Sequence, residues 1–205
     1  EACVKEYKNL QEHKVFEWVH APPGTVLLET TWAWRVKPDG AGNVSKFKAR
    51  ICGRGYLQRM GLHFVQCSSP VGKITTFRIM LAEAARRKMD WCFVDIRSAY
   101  LTSKSKVTQY SRPPPGVSPP EVGMVWRMDR CLYGWRDSGR AFHLKFRKDL
   151  LEWGFKASEA DPCLFVKMHQ GAMLRVLLFV DGVDESCDQY ATNSSWAKPR
   201  RTSVL

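Results

Sequence analysis

Two apolar runs that each end abruptly in a carboxylate constrain this chain more than any other feature: Trp91-Cys92-Phe93-Val94-Asp95 and Leu177-Leu178-Phe179-Val180-Asp181. Short runs rich in Val, Phe and Trp favour strands over helices. Two such strands, each delivering an aspartate to its exit, are expected to be neighbours in one sheet and to hold two carboxylates side by side at its rim. Hard oxygen ligands placed in that way suit a divalent metal. Either aspartate alone would also suit a simple turn, because the side chain bonds its own backbone there. The rest of the chain has to decide between these readings.

Composition narrows the partner. With 44% hydrophobic and 25% charged residues, the 205-residue chain is an ordinary globular sequence, long enough for one large core or two small subdomains. Its 32 Lys+Arg against 20 Asp+Glu give a formal charge of +12, which suits a polyanion, either nucleic acid or an anionic membrane surface. The cations are interleaved with aromatics, as in Lys46-Phe47-Lys48 and Arg54-Gly55-Tyr56, and are not gathered on one amphipathic helix. That pattern favours nucleic acid. Seven cysteines include no C-x-x-C pair, and several sit in apolar runs, so free thiols in a reducing compartment and no zinc site are expected. No apolar stretch approaches a membrane span and the first residues lack a signal-peptide core, so no membrane association and an intracellular location are expected.

Taken in order, residues 1–20 read as a helix followed by a short strand, and Ala21-Pro22-Pro23-Gly24 as a turn. Thr31 to Lys37 and Phe47 to Cys52 read as a hairpin with a glycine-rich tip between them. Lys46, Lys48 and Arg50 fall two apart, so a strand presents them as a row on one face. Such a row suits a triphosphate or a template backbone, and equally a solvated surface. From Thr75 to Met89 the spacing of Phe77, Met80, Leu81, Ala84 and Ala85 predicts an amphipathic helix, with Met80 and Leu81 in the core and a basic last turn that complements the helix dipole. A buried strand over Trp91 to Ile96 follows. A second helix carries Phe142, Phe146, Leu150 and Trp153 as its core face, with His143 at the surface and Gly154 as its stop. Asp137 or Ser138 would cap that helix. His169-Gln170-Gly171-Ala172 turns the chain, and Met173 to Val180 reads as the return strand of a second hairpin.

Several of these stretches carry a family resemblance. Lys48-Ala49-Arg50-Ile51-Cys52-Gly53-Arg54-Gly55-Tyr56-Leu57-Gln58, then Ser69-Pro70-Val71 and Thr76-Phe77-Arg78, resemble the fingers segment of copia-type retrotransposon reverse transcriptases. Asp95 to Leu101 resembles the family's first catalytic motif, and Arg112-Pro113-Pro114-Pro115-Gly116 its proline loop. Leu132-Tyr133-Gly134 with Arg136 and Arg140, and Ser158-Glu159-Ala160-Asp161-Pro162-Cys163-Leu164-Phe165, are similar to two further family stretches. Three departures stand out. Phe179-Val180-Asp181-Gly182 replaces the family's YVDD, so Gly182 stands for its second aspartate. Asp137 and Gly139 replace a usual Gln and Pro, and Ser103, Lys104, Ser105 and Lys106 replace acidic residues.

The resemblance implies an α/β (α+β) fingers-palm fold over 1–187, with 20–75 mainly the fingers hairpin and 76–187 mainly an antiparallel palm sheet with helices on one face. Residues 188–205 are expected to be an unmatched, poorly ordered basic tail, and thumb and ribonuclease H regions to be absent. It implies that Asp95 and Asp181 bind two Mg2+ or Mn2+ ions, and that Lys46, Lys48 and Arg50 hold the triphosphate of a dNTP. Tyr100 would lie under its sugar, excluding a ribose 2′-hydroxyl, and Arg78, Gly134, Arg136 and Arg140 would contact the template and primer. The implied activity is RNA-directed DNA synthesis on a template-primer, alongside other regions of a Pol polyprotein. The implied location is cytoplasmic, in virus-like particles and with nuclear access. Because of Gly182, an inactive, truncated remnant that folds and binds nucleic acid without specificity remains the alternative, followed by a basic protein-interaction module.

Overall fold

The computed structural model describes residues 1–179 and the backbone of a strand at 189–192. In chain order the elements are α1 (Ala2–Glu12), β1 (Phe16–His20), β2 (Leu28–Pro38), β3 (Val44–Gly53), α2 (Ile74–Arg87), β4 (Cys92–Asp95), β5 (Gln109–Arg112), β6 (Met124–Met128), α3 (Ser138–Glu152), β7 (Lys156–Ala157), β8 (Leu164–His169), β9 (Ala172–Phe179) and β10 (Gln189–Thr192). This is a mixed α/β chain with two five-stranded sheets, and it forms two compact units. The first comprises Glu1–Ser68 and Tyr100–Phe142, and the second Ser69–Ala99 and the chain from His143 onward.

In the first unit the sheet order is β1-β6-β5-β2-β3, antiparallel except for the β2–β5 pair. The helix, short strand and turn expected at the start are present. The turn is held by Thr25 N–H on the Pro22 carbonyl, with Gly24 at φ 77°. Leu10 of α1 joins Val15, Leu28, Ile51, Leu101, Trp126, Met128, Leu132 and Trp135 in one buried core. Wholly buried Trp126 stacks 4.1 Å from Phe16 and meets Trp18 edge-on at 5.7 Å. The β2–β3 hairpin is anchored in this core at its base by Leu28 and Ile51. From Ala33 to Pro38, every residue of β2 is exposed.

In the second unit the order β4-β10-β9-β8-β7 is antiparallel throughout. The β8–β9 hairpin turns at Gln170 (φ 49°) and Gly171 (φ 79°), the two left-handed residues that suit the twist of a two-residue hairpin loop. α2 ends where Lys88 adopts φ 53°, and Arg86 and Arg87 of its last turn pair with Glu83.

Four burial expectations are corrected. No residue of α2 is buried, and Met80 and Leu81 are only half-covered. The strand at Trp91 is not buried on both faces: Trp91 and Phe93 are 43% and 49% exposed, alternating with half-buried Cys92 and Val94. Trp153 is exposed, because the chain turns at Gly154 (φ 83°) and Leu150 and Phe155 fill the core instead, tied by the Phe155 N–H on the Leu150 carbonyl. His143 is buried, since a seven-residue offset on a helix returns it to within about 20° of Leu150.

Candidate functional site

The two carboxylate-bearing runs belong to the second unit. β4 and β9 both pair antiparallel with β10, so they run parallel to one another and leave the sheet at the same end. Gln189 lies opposite both Asp95 and Phe179, which sets the last residue of β4 level with the last residue of β9. They are not adjacent strands as expected. β10 lies between them, a strand that Gln189-Tyr190-Ala191-Thr192 hardly announces, and the exits are two strand intervals apart, about 10 Å. Asp95 is exposed on the face it shares with Trp91 and Phe93, and its hard oxygens are open to a cation. Asp181, Gly182 and Asp184 lie outside the described residues. Among the described residues no three His, Cys, Asp or Glu side chains gather into a complete metal site.

The cation row belongs to the first unit. Lys46, Lys48 and Arg50 share one face of β3, and the hairpin register sets Lys37 opposite Lys46, Arg35 opposite Lys48 and Ala33 opposite Arg50. Residues directly opposed in an antiparallel pair project to the same side. Arg35 and Lys37 therefore extend the row to five cations. They escaped the sequence reading although their two-residue spacing, added to the hairpin register, would have found them. Like charges set directly opposite repel, an arrangement that favours an anion over that face. The other face carries Trp32, Trp34 and Val36 opposite Ile51, Ala49 and Phe47, with Trp34 and Phe47 both 66% exposed. Trp32 donates its Nε1 hydrogen to the Pro115 carbonyl at 2.8 Å, and Trp32, Trp34, Pro115 and Gly116 line an open groove there.

Arg50 is held at the root of the row. Its guanidinium carbon lies 4.9 Å from the centre of the Tyr133 ring, and Tyr133 meets Tyr100 edge-on at 5.5 Å. Tyr100, half-buried in a short helical turn at Ala99–Thr102, also meets Phe142 edge-on at 6.3 Å. The outer edge of β3 beside Arg50 is closed by two acceptors. The Glu6 carboxylate accepts the Ile51 N–H at 3.4 Å, and the Tyr133 carbonyl accepts the Gly53 N–H at 2.7 Å. Burial pushes the Glu6 carboxyl up, while the Ile51 N–H and the charges of Arg50 and Lys48 pull it down less strongly.

The remaining predicted contacts have local partners. Gly134 (φ 81°) packs against the Gly53 carbonyl, 2.5 Å from where a Cβ would stand. Arg136 donates its Nε hydrogen to the Gly55 carbonyl and its backbone N–H to the Gln58 side chain, and its guanidinium carbon lies 5.9 Å from the Phe64 ring centre. Arg140 donates to the Ser68 carbonyl at 2.9 Å. Arg78 is exposed on α2. Asp137 is buried, and its side chain accepts from Ser105 at 2.9 Å while its carbonyl receives the Ala141 N–H. The acid that departs from the family's Gln thus meets one of the serines that depart from its acids.

Asp161, part of the long family stretch but given no role by the sequence, proves to be an anchor. Its Oδ2 accepts the Lys73 N–H at 2.9 Å and the Thr76 hydroxyl at 2.6 Å, and its Oδ1 accepts the Cys163 N–H at 2.9 Å. A buried carboxylate thus closes the N-terminus of α2 from far along the chain.

The chain is mixed α/β, with level strand exits in one unit and a cationic hairpin in the other, and comparison with known proteins gives the family. The chain belongs to the reverse transcriptase (RNA-dependent DNA polymerase) family, whose model matches residues 13–191. Over 163 residues it is 31% identical to a retrovirus-related Pol polyprotein from transposon RE2 of Arabidopsis thaliana, covering 79% of this chain and 11% of that protein. It is 28% identical over 185 residues to the corresponding polyprotein from transposon TNT 1-94 of Nicotiana tabacum, covering 88% and 14%. A third, from transposon RE1 of Arabidopsis thaliana, is 31% identical over 170 residues, covering 82% and 12%. The copia-type resemblance is thereby established, and the chain spans about an eighth of the length of these relatives.

Proposed function

We propose that this chain is the RNA-directed DNA polymerase portion of a retrotransposon Pol polyprotein, working with a template-primer and dNTPs and with other regions of that polyprotein. The observation that carries the reading is the level, same-end exit of β4 and β9 through β10, which sets Asp95 level with Phe179, two residues before Asp181 in the sequence. Asp95 and Asp181 would hold the divalent ions. Bound Mg2+ or Mn2+ would supply charge neutralisation of the triphosphate and acidify the primer hydroxyl. Lys46, Lys48 and Arg50, with Arg35 and Lys37 on the same face, hold the triphosphate by charge-assisted hydrogen bonds. Tyr100 stands at the sugar and disfavours a 2′-hydroxyl, while the cationic surface tracks the nucleic-acid backbones. Arg78, Gly134, Arg136 and Arg140 are assigned to the template-primer side. The setting is the cytoplasm.

Gly182 favours a second reading, a remnant that binds nucleic acid without chemistry, because one of three expected metal carboxylates is missing. Extension of a primed RNA template in Mg2+ or Mn2+ separates the two. On the polymerase reading the chain extends weakly, Gly182→Asp raises incorporation by at least about tenfold, and Asp95→Asn abolishes it. Salt-sensitive binding of the primed template with no extension even by Gly182→Asp would favour the remnant. No salt-sensitive binding would exclude both.

A further inference from the structure

The geometry points to Tyr133 as a positioning residue for nucleotide selection: one ring is packed at once against the triphosphate-side cation Arg50 and the sugar-side ring Tyr100. The inference rests on the nucleotide-site reading above and assigns within it a residue that neither charge nor metal chemistry would single out.

The contacts are specific in kind. A guanidinium 4.9 Å from a ring centre lies within the range of cation–π attraction. The Tyr133–Tyr100 pair, at 5.5 Å and 71°, has the edge-to-face geometry that aromatic quadrupoles favour. Tyr100 is braced on another side by Phe142 at 6.3 Å and 87°. The Tyr133 backbone is tied separately, through the Gly53 N–H on its carbonyl and a bridge to Cys52. A side-chain change at Tyr133 therefore leaves the local chain path in place and removes only the ring between Arg50 and Tyr100.

That ring has two expected effects. With it, the Arg50 guanidinium keeps one plane and the Tyr100 ring keeps one rotamer. Without it, both side chains gain freedom, and a ring that swings excludes a 2′-hydroxyl less well. Loss of Tyr133 should therefore lower preference for deoxy over ribo sugars, beyond any general weakening. A residue that merely filled the core would leave that preference alone.

The test is equilibrium binding of dUTP and of UTP, which differ only at the 2′-position, to the full chain on an RNA template with a dideoxy-terminated primer. Tyr133→Leu is expected to reduce the dUTP-to-UTP affinity ratio by about fivefold, and Tyr133→Phe, which keeps the ring, to hold it within about twofold. Arg50→Lys keeps the charge and loses the planar stack, so it should weaken both nucleotides with less change in their ratio. If Tyr133→Leu does not fold, as judged by its thermal melt, Tyr133→Met replaces it as the ringless variant. A ratio unchanged in the folded ringless variant, with wild type discriminating, overturns the role of Tyr133 alone. Wild type that binds neither nucleotide overturns the nucleotide-site reading and this inference with it.

Discussion

Two sets of aromatic rings, similar in sequence character, meet opposite fates. In the first unit Tyr7, Phe16 and Trp18 gather around Trp126, which is wholly buried. In the second, Phe77, Trp91 and Phe93 sit 4.8–6.2 Å apart, yet Trp91 and Phe93 stay nearly half exposed. The difference lies in how many elements converge. α1 and β1 both present rings to Trp126 on β6, whereas among the described residues only α2 brings a ring to β4. Apolar content says that a residue prefers cover, and topology decides whether it receives any. Trp126→Ala is accordingly expected to cost about 3–5 kcal/mol in urea unfolding, and Phe93→Ala under about 1 kcal/mol. Equal losses would mean that burial does not separate the two sets.

Glycines sharpen the same contrast at the level of backbone. Gly134 in the first unit and Gly171 in the second both have positive φ, 81° and 79°. A Cβ on Gly134 would stand 2.5 Å from the Gly53 carbonyl, while one on Gly171 would meet nothing within 4 Å. Gly134→Ala therefore combines left-handed strain with a collision against backbone, and a loss of about 2–4 kcal/mol is expected. Gly171→Ala carries only the conformational term, about 1 kcal/mol. Comparable denaturation midpoints for the two variants would show that the close approach at Gly134 relaxes freely.

What could be read from the sequence follows the range of the interactions involved. The β2–β3 hairpin and its row at Lys46, Lys48 and Arg50 were legible because a period of two is local. The α1 helix and the stop at Gly154 were legible for the same reason. Whether Met80, Leu81 or Trp153 found cover was not, since helical spacing names a face and says nothing of what packs on it. His143 is buried because it shares a helix face with Leu150, while a titratable side chain by itself points to the surface. The strand between β4 and β9 was hidden, as four residues with one aromatic give no clear period. The clasp of Tyr133 on Arg50 and Tyr100 joins residues far apart in the chain, so only the fold brings them together.

Asp161 provides the most direct probe of how α2 is held without a buried side chain. Its Oδ2 accepts two hydrogen bonds and its Oδ1 a third, all from the N-terminal side of α2 or from Cys163. An asparagine there must turn an NH2 donor toward donors on one side or the other. Asp161→Asn should therefore cost about 1–3 kcal/mol, without loss of the β8–β9 hairpin. Burial pushes the Asp161 carboxyl up, but hydrogen bonds from Thr76, Lys73 and Cys163, with the charge of Lys73, outweigh it and hold the group below its ordinary value of 3.8. A carboxyl depressed in the folded state stabilises above its unfolded value and loses that contribution as pH falls through the folded one. Wild type should lose this increment below about pH 4, and Asp161→Asn should lack it, so their melting temperatures converge as acid is added. A gap between the two that stayed constant down to pH 2 would show that the anchor at the start of α2 does not depend on the charge of Asp161.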